Sequence, residues 1–222
     1  MKNKLMFSIY LLASISILIS CSSRNSGSNT GNVTETDETE LTTSANGKYA
    51  LKSGIVEYTT QVMGMDAKQL LYFDDYGKIE AQDVQMEIMG SAIHTVTINR
   101  DGYIYNIDMV KKTGTKVLAT PINSVSIDFE NLSEQMIKDM NITKEGTEEF
   151  LGRTCEKLGI DYTKMGLKGT YLVYKGVALL VDTEMGAMKM KLVADKFTEN
   201  ASIPAEKFEI PDNITFTDNV VR

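Results

Sequence analysis

From Lys48 onward, turn signals recur about every eight to twelve residues, and apolar and polar side chains alternate between them. A period of two belongs to a strand with one buried face, and it gives a helix no continuous stripe to bury. Val56, Tyr58, Thr60 and Val62 share one side of the first such run, with Ile55, Glu57, Thr59 and Gln61 on the other. Gln69–Phe73 is a second run, and Asp74-Asp75-Tyr76-Gly77 turns the chain into Lys78–Ile88, where Val84, Met86 and Ile88 alternate with Asp83, Gln85 and Glu87. Ala92, His94, Val96 and Ile98 line the next run, and Asn99-Arg100-Asp101-Gly102 leads into Tyr103, Tyr105, Ile107 and Met109. Asp-Gly is a hairpin signal because both central positions of a type I′ turn need positive φ. Successive hairpins build an antiparallel meander, which excludes parallel α/β architectures.

One helical stretch interrupts the strands. Asn131 stands three residues before Glu134, as in a capping box, and Leu132, Met136 and Met140 repeat at helical spacing with Ile137 beside them. So narrow a stripe suits a helix laid on a sheet face. Strands resume at Arg153–Tyr162, Gly169–Tyr174, Val177–Thr183 and Ala187–Asp195, and Ser202–Phe208 reads as a helical turn before Pro211. The expected fold is mainly β, with about ten strands and one or two helices in a single unit over residues 48–222.

The first 47 residues have a different texture. Lys2 and Lys4 precede an apolar run from Met6 to Ile19 that is shorter than the roughly 20 residues a membrane span needs, so residues 1–20 read as a signal peptide. The run ends at Leu18-Ile19-Ser20-Cys21, which resembles the bacterial lipobox, where the cysteine receives a diacylglyceryl group and becomes the first residue of the mature chain. The resemblance implies lipidation at Cys21 and a membrane partner through that anchor. By resemblance to the Gram-negative sorting pattern, Ser22 implies the outer membrane, and the absence of acidic residues before Glu35 implies a domain facing the periplasm. Residues 21–47 form a tether: positions 22–47 hold eleven Ser or Thr and only Val33, Leu41 and Ala45 as apolar side chains. Such a segment buries too little surface to offset its ordering entropy.

The order of these pieces is similar to that of uncharacterised Bacteroidetes-type envelope lipoproteins and of the LolA/LolB lipoprotein-carrier superfamily, with its relatives RseB and LppX. The phrases that carry the likeness are residues 54–58, 70–78, 95–108, 148–162, 171–183 and 203–216. It implies an antiparallel meander curled into an open half-barrel with the helices on its concave face. An incompletely covered face of that kind would be a groove for a lipid or acyl chain, and Met86, Ile88, Val96, Ile98, Tyr105, Met136 and Met140 are the candidate lining residues. Of thirteen methionines, eleven lie beyond residue 20. Two roles suit them: filling core volume in a chain without Trp, or lining a surface that adapts to varied apolar shapes.

Other chemistry is poorly provided for. A net charge of −7, moving to −9 when Lys2 and Lys4 leave with the signal peptide, opposes nucleic acid as a partner. His94 is the single histidine, so no histidine-rich metal site can form within one chain, and Cys155 is the only thiol left after lipidation. Asp74, Asp75 and Asp101 lack the ligand spacing of a calcium loop. Lys112-Thr113-Gly114-Thr115-Lys116 has the wrong glycine spacing for a phosphate loop and is expected between strands. The expectation is a non-enzymatic lipoprotein without cofactor or metal that binds an apolar ligand or lipidated partner. The alternative is an interaction protein that docks on an envelope complex and has no ligand cavity; the identity of a protein partner is open. Replacing Cys21 with Ser is expected to abolish acylation, read as loss of labelled palmitate from the protein and its failure to remain with washed membranes.

Overall fold

The computed structural model describes residues 47–62, 64–119 and 127–218; the expected signal peptide, Cys21 and nearly all of the expected tether lie outside them. Twelve strands form one sheet: β1 (Gly54–Val62), β2 (Met65–Asp74), β3 (Ile79–Ile88), β4 (Ser91–Arg100), β5 (Tyr103–Asp108), β6 (Thr113–Leu118), β7 (Thr143–Phe150), β8 (Arg153–Tyr162), β9 (Leu167–Tyr174), β10 (Val177–Met185), β11 (Met188–Glu199) and β12 (Thr215–Asp218). A single α-helix, α1 (Glu134–Asp139), lies between β6 and β7 among the described residues. The spatial order is β12-β6-β5-β4-β3-β2-β1-β11-β10-β9-β8-β7. Two meanders, β1–β6 and β7–β11, are therefore joined edge to edge by the antiparallel β1·β11 ladder, and β7 and β12 remain as the two edges of an open half-barrel.

The turns explain the tightness of the meander. Asp101 and Gly102 take φ of 53° and 75°, the doubly positive geometry of a two-residue hairpin turn, and Met89-Gly90, Leu151-Gly152 and Lys175-Gly176 repeat it. Helix α1 begins two residues later than a capping box at Asn131 would place it. Its N-cap is Ser133, whose side chain accepts from the Met136 N–H, while the Asn131 amide donates to Gly47 O at 2.9 Å and to Asp128. The helical turn read before Pro211 is a 3-10 turn at Ala205–Phe208.

Three strands differ from the sequence reading. Thr113–Lys116, expected between strands, lies within β6, and its glycine has a packing reason: a Cβ on Gly114 would sit 2.8 Å from the Phe216 ring. Strand β7 reads Thr-Lys-Glu-Gly-Thr-Glu-Glu-Phe and has no apolar alternation because every residue but Phe150 is exposed. Strand β12 pairs in parallel with β6, the one parallel ladder among the described strands.

Register sorts every side chain onto one of two faces. The front face carries Val56, Tyr58, Leu71 and Phe73, over which Tyr49 and Leu51 of the entering chain pack. It continues across β1·β11 to Leu158, Ile160, Tyr171 and Val181, covered by Ile127, Phe129, Met140 and Ile142 of the segment that carries α1. The back face of the first meander carries Tyr72, Ala81, Ile98 and Ile107, and the tail covers it with Ile203, Phe208, Ile210 and Ile214.

The entering chain is held by a buried charge. Glu80, with a side chain 1% exposed, accepts from Lys48 Nζ at 2.8 Å and from the Tyr49 hydroxyl. The Tyr49 ring stacks 4.4 Å from Phe73, and the Lys48 and Tyr49 N–H groups both donate to Tyr76 O. Burial, reinforced by the negative charge of Glu80, holds the Tyr58 hydroxyl protonated far above the ordinary tyrosine range, and it donates to Ala178 O at 2.8 Å. Burial alone pushes Tyr171 up to about 12. Removing Glu80 leaves a buried ammonium without its partner. Glu80→Ala is expected to lower stability by about 3–5 kcal/mol and Glu80→Gln by less, measured by urea unfolding.

Candidate functional site: a methionine band at one end of the sheet

In an antiparallel meander successive turns fall at alternate ends of the sheet. The turns after β2, β4, β7 and β9 lie at the end where the chain enters, since Lys48 is bonded to Tyr76 O and the Ala50 N–H to Lys175 O. The turns after β1, β3, β5, β8 and β10 lie at the other, far end.

The described methionines follow this division. Met65, Met86, Met89, Met109, Met165, Met185, Met188 and Met190 occupy the far-end turns or the strand positions beside them. Met136 and Met140 lie on α1 and its C-cap, which the Asp161 N–H ties to far-end β8 by donating to Met140 O at 3.0 Å. The entry end holds the aromatic packing instead, with Tyr49, Phe73, Tyr174 and Phe197 in ring contact.

The ladders place the far-end apolar residues on the front face. Tyr162 faces Leu167, Leu167 faces Met185, and Met185 faces Met188. Met190 and Met65 both pair in register with position 62 of β1, Ala67 faces Met86, and Met86 faces Ile93. The intervening back-face pairs are polar or charged: Asp161 with Lys168, Glu184 with Lys189, Asp182 with Lys191, Gln61 with Asp66. Met190 and Tyr162 join the core under the α1 segment. Met65, Met86, Ile88, Ile93, Leu167, Met185 and Met188 are half-buried and belong to none of the three packed clusters. From β9 to β4 the band spans six strand spacings, about 29 Å along the curve of the sheet.

The residues singled out from sequence divide between two places. Met86 and Ile88 lie in the band, Met140 packs beside its buried margin, and Met136 is half-buried on α1. Val96, Ile98 and Tyr105 lie on the back face in the cluster under the tail, where Tyr105 makes an edge contact to Phe216 at 5.9 Å. Met65, Ile93, Leu167, Met185 and Met188 were not among those candidates. The available signal was positional: methionine recurs at alternate turns, which an antiparallel meander gathers at one end.

Other polar features offer little reactive chemistry. His94 Nε2 lies 3.0 Å from Asp83 Oδ1 on the back face. Cys155 is buried, and burial pushes its thiol up, away from the nucleophilic thiolate. Among the described residues no group of three or more His, Cys, Asp or Glu is placed to hold a metal ion, and no helix is long and apolar enough to cross a membrane. A hollow of about 450 Å³ on the second meander is lined by Glu148, Lys157, Lys168, Asp182, Glu184 and Lys189 above Leu172 and Leu180. A second, of about 520 Å³, lies by Tyr49, Asp75, Tyr76, Lys78 and Glu130 at the entry end. Neither is lined by the methionine band.

No protein-family model and no curated protein matches the chain. Among solved structures it is similar to an uncharacterised conserved protein from Thermus thermophilus, with TM-score 0.52 and 10% identity over 75% of this chain and 90% of that one. That likeness shows a shared fold. Lower similarities are to a chain of the Pseudomonas aeruginosa MucA/MucB complex, with TM-score 0.48, 10% identity and coverage of 72% of this chain and 56% of that one, and to LprF from Mycobacterium bovis, with TM-score 0.36, 10% identity and coverage of 72% and 92%. The chain thus spans little more than half the length of that chain of the complex.

The band's partial exposure sets an order of reactivity. Limited peroxide oxidation of the full chain, followed by peptide mass spectrometry, is expected to convert fully exposed Met89 first, then Met65, Met86, Met185 and Met188, and Met140 and Met190 last. Protection of Met86 and Met185 equal to that of Met190 would mean that the band is packed shut.

Proposed function

We propose that this chain is a lipid-anchored protein of the bacterial envelope, facing the periplasm from the outer membrane, that docks a protein partner on its methionine band and catalyses no reaction. The observation that carries the reading is the set of seven half-buried apolar side chains on one face, outside every packed cluster. An apolar patch rimmed by polar residues is the usual mark of an interaction surface. Methionine suits it, because an unbranched, polarizable side chain re-forms around different contact shapes.

Two features favour a protein over an enclosed lipid. The cores that an acyl chain would otherwise fill are occupied by the chain's own segments, Tyr49 and Leu51, the α1 segment and the tail. The tether leads to Gly47 at the entry end, and the band sits at the opposite end of the sheet. The lipobox at Cys21 and the polar tether supply the envelope address.

A photo-crosslinking amino acid at Ile88 tests this in cells, with one at Lys68 on the back face as the control. The expected result is an adduct of discrete mass, containing one protein species, from position 88 and none from position 68. Adducts to lipid alone at position 88 would replace docking with lipid carriage, and equal adducts at both positions would remove the band as the docking face.

A further inference from the structure

We propose that Met185, Met188 and Met190 form a binding site for a soft monovalent cation of the copper(I) type. The three lie on the hairpin that joins β10 and β11. Met185 and Met188 are directly opposed across it, so their Cβ atoms are about 4.5–5.5 Å apart. Met190 is two residues along from Met188 on the same face, opposite Thr183, a further step of about 7 Å. Each side chain has three flexible bonds beyond Cα, so the three sulfurs can converge on a point above the front face.

The donor set selects the ion. Thioether sulfur is a soft, neutral ligand that favours copper(I), whereas magnesium, calcium and manganese require oxygen. The hairpin's charged residues all point away: Glu184 opposes Lys189 and Asp182 opposes Lys191, both on the back face. The front side of the hairpin therefore offers no carboxylate for a hard cation and no ammonium to repel a soft one. Met185 and Met188 are half-buried and outside the packed clusters, and Met190 is half-buried at the margin of the core, so binding requires only that its flexible thioether turn toward the other two. Thioethers also carry no proton to displace, so affinity is flat from about pH 5 to about pH 8, unlike that of a histidine or cysteine site. The inference rests on the register of this hairpin and is independent of what docks on the rest of the band.

The test uses the full chain in detergent micelles with methionine methyl groups labelled with carbon-13. Silver(I), a redox-inert probe of the same class, is titrated in, and copper(I) is then competed against a coloured chelator. The expected result is saturable uptake of a single equivalent, shifting the methyl signals of Met185, Met188 and Met190 and leaving Met89 and Met109 in place. The near-isosteric triple substitution Met185→Leu, Met188→Leu, Met190→Leu is expected to keep the urea unfolding midpoint and lose the uptake, while Met65→Leu keeps both. Absence of uptake, shifts spread evenly over all exposed methionines, affinity that falls sharply toward low pH, or a triple-Leu chain that still takes up silver would each overturn the proposal.

Discussion

The ladder between β1 and β11 is the joint on which this molecule depends. Each meander is built from local hairpins, but Gly54–Val62 meets Met190–Glu199 only after most of the chain has been made. That pairing aligns Val56 with Phe197 and Tyr58 with Ala194, and by doing so it decides which residues of both halves share a face. A slip by one residue would carry Met190 and Leu192 to the back and bring Lys191 into the core, because strand side chains alternate strictly. The register shifts by one between Glu57 and Tyr58, where Asp195 is the extra residue of β11, and this bulge brings both Phe197 and Ala194 onto the front face.

Much of the architecture was legible from period and punctuation. Alternation in β1, β3, β4 and β5 and the Asp101-Gly102 turn identify strands and hairpins directly, because each has one buried face and a turn that needs positive φ. Strand β7 was illegible for the opposite reason: exposed on both sides, Thr143–Glu149 has no pattern to show. Strand β6 was masked by Lys112, Gly114 and Lys116, which read as loop, although Gly114 is shaped by Phe216, roughly a hundred residues later. The candidate site was half legible for the same kind of reason. Alternation placed Met86 and Ile88 on one face but gave no means of knowing that Val96, Ile98 and Tyr105 occupy the other, under a tail distant in sequence.

The two ends of the sheet divide stiffness from adaptability. At the entry end, Arg153 donates to Phe197 O, pairs with Glu199 at 2.8 Å and stacks over the Tyr174 and Phe197 rings, while Glu80 fixes Lys48 and Tyr49. Rings and buried hydrogen-bonded charges tolerate few arrangements. At the far end the same strands finish in methionines, which tolerate many. A rigid base where the chain is held and a deformable rim where it is free is a division suited to gripping surfaces of varied shape.

The edges of the sheet carry a consequence for assembly. An open sheet with two bare margins is a template for end-to-end polymerisation. Strand β12 covers β6 and leaves an edge of only four residues, and on the other margin the bulge at Glu145 and the glutamates of β7 spoil the template. Until Thr215 is available, β6 has no neighbour on that side. Solubility of the newborn protein therefore waits on these four residues, and a chain without them would be a seed for fibres rather than a slightly smaller copy of the same molecule.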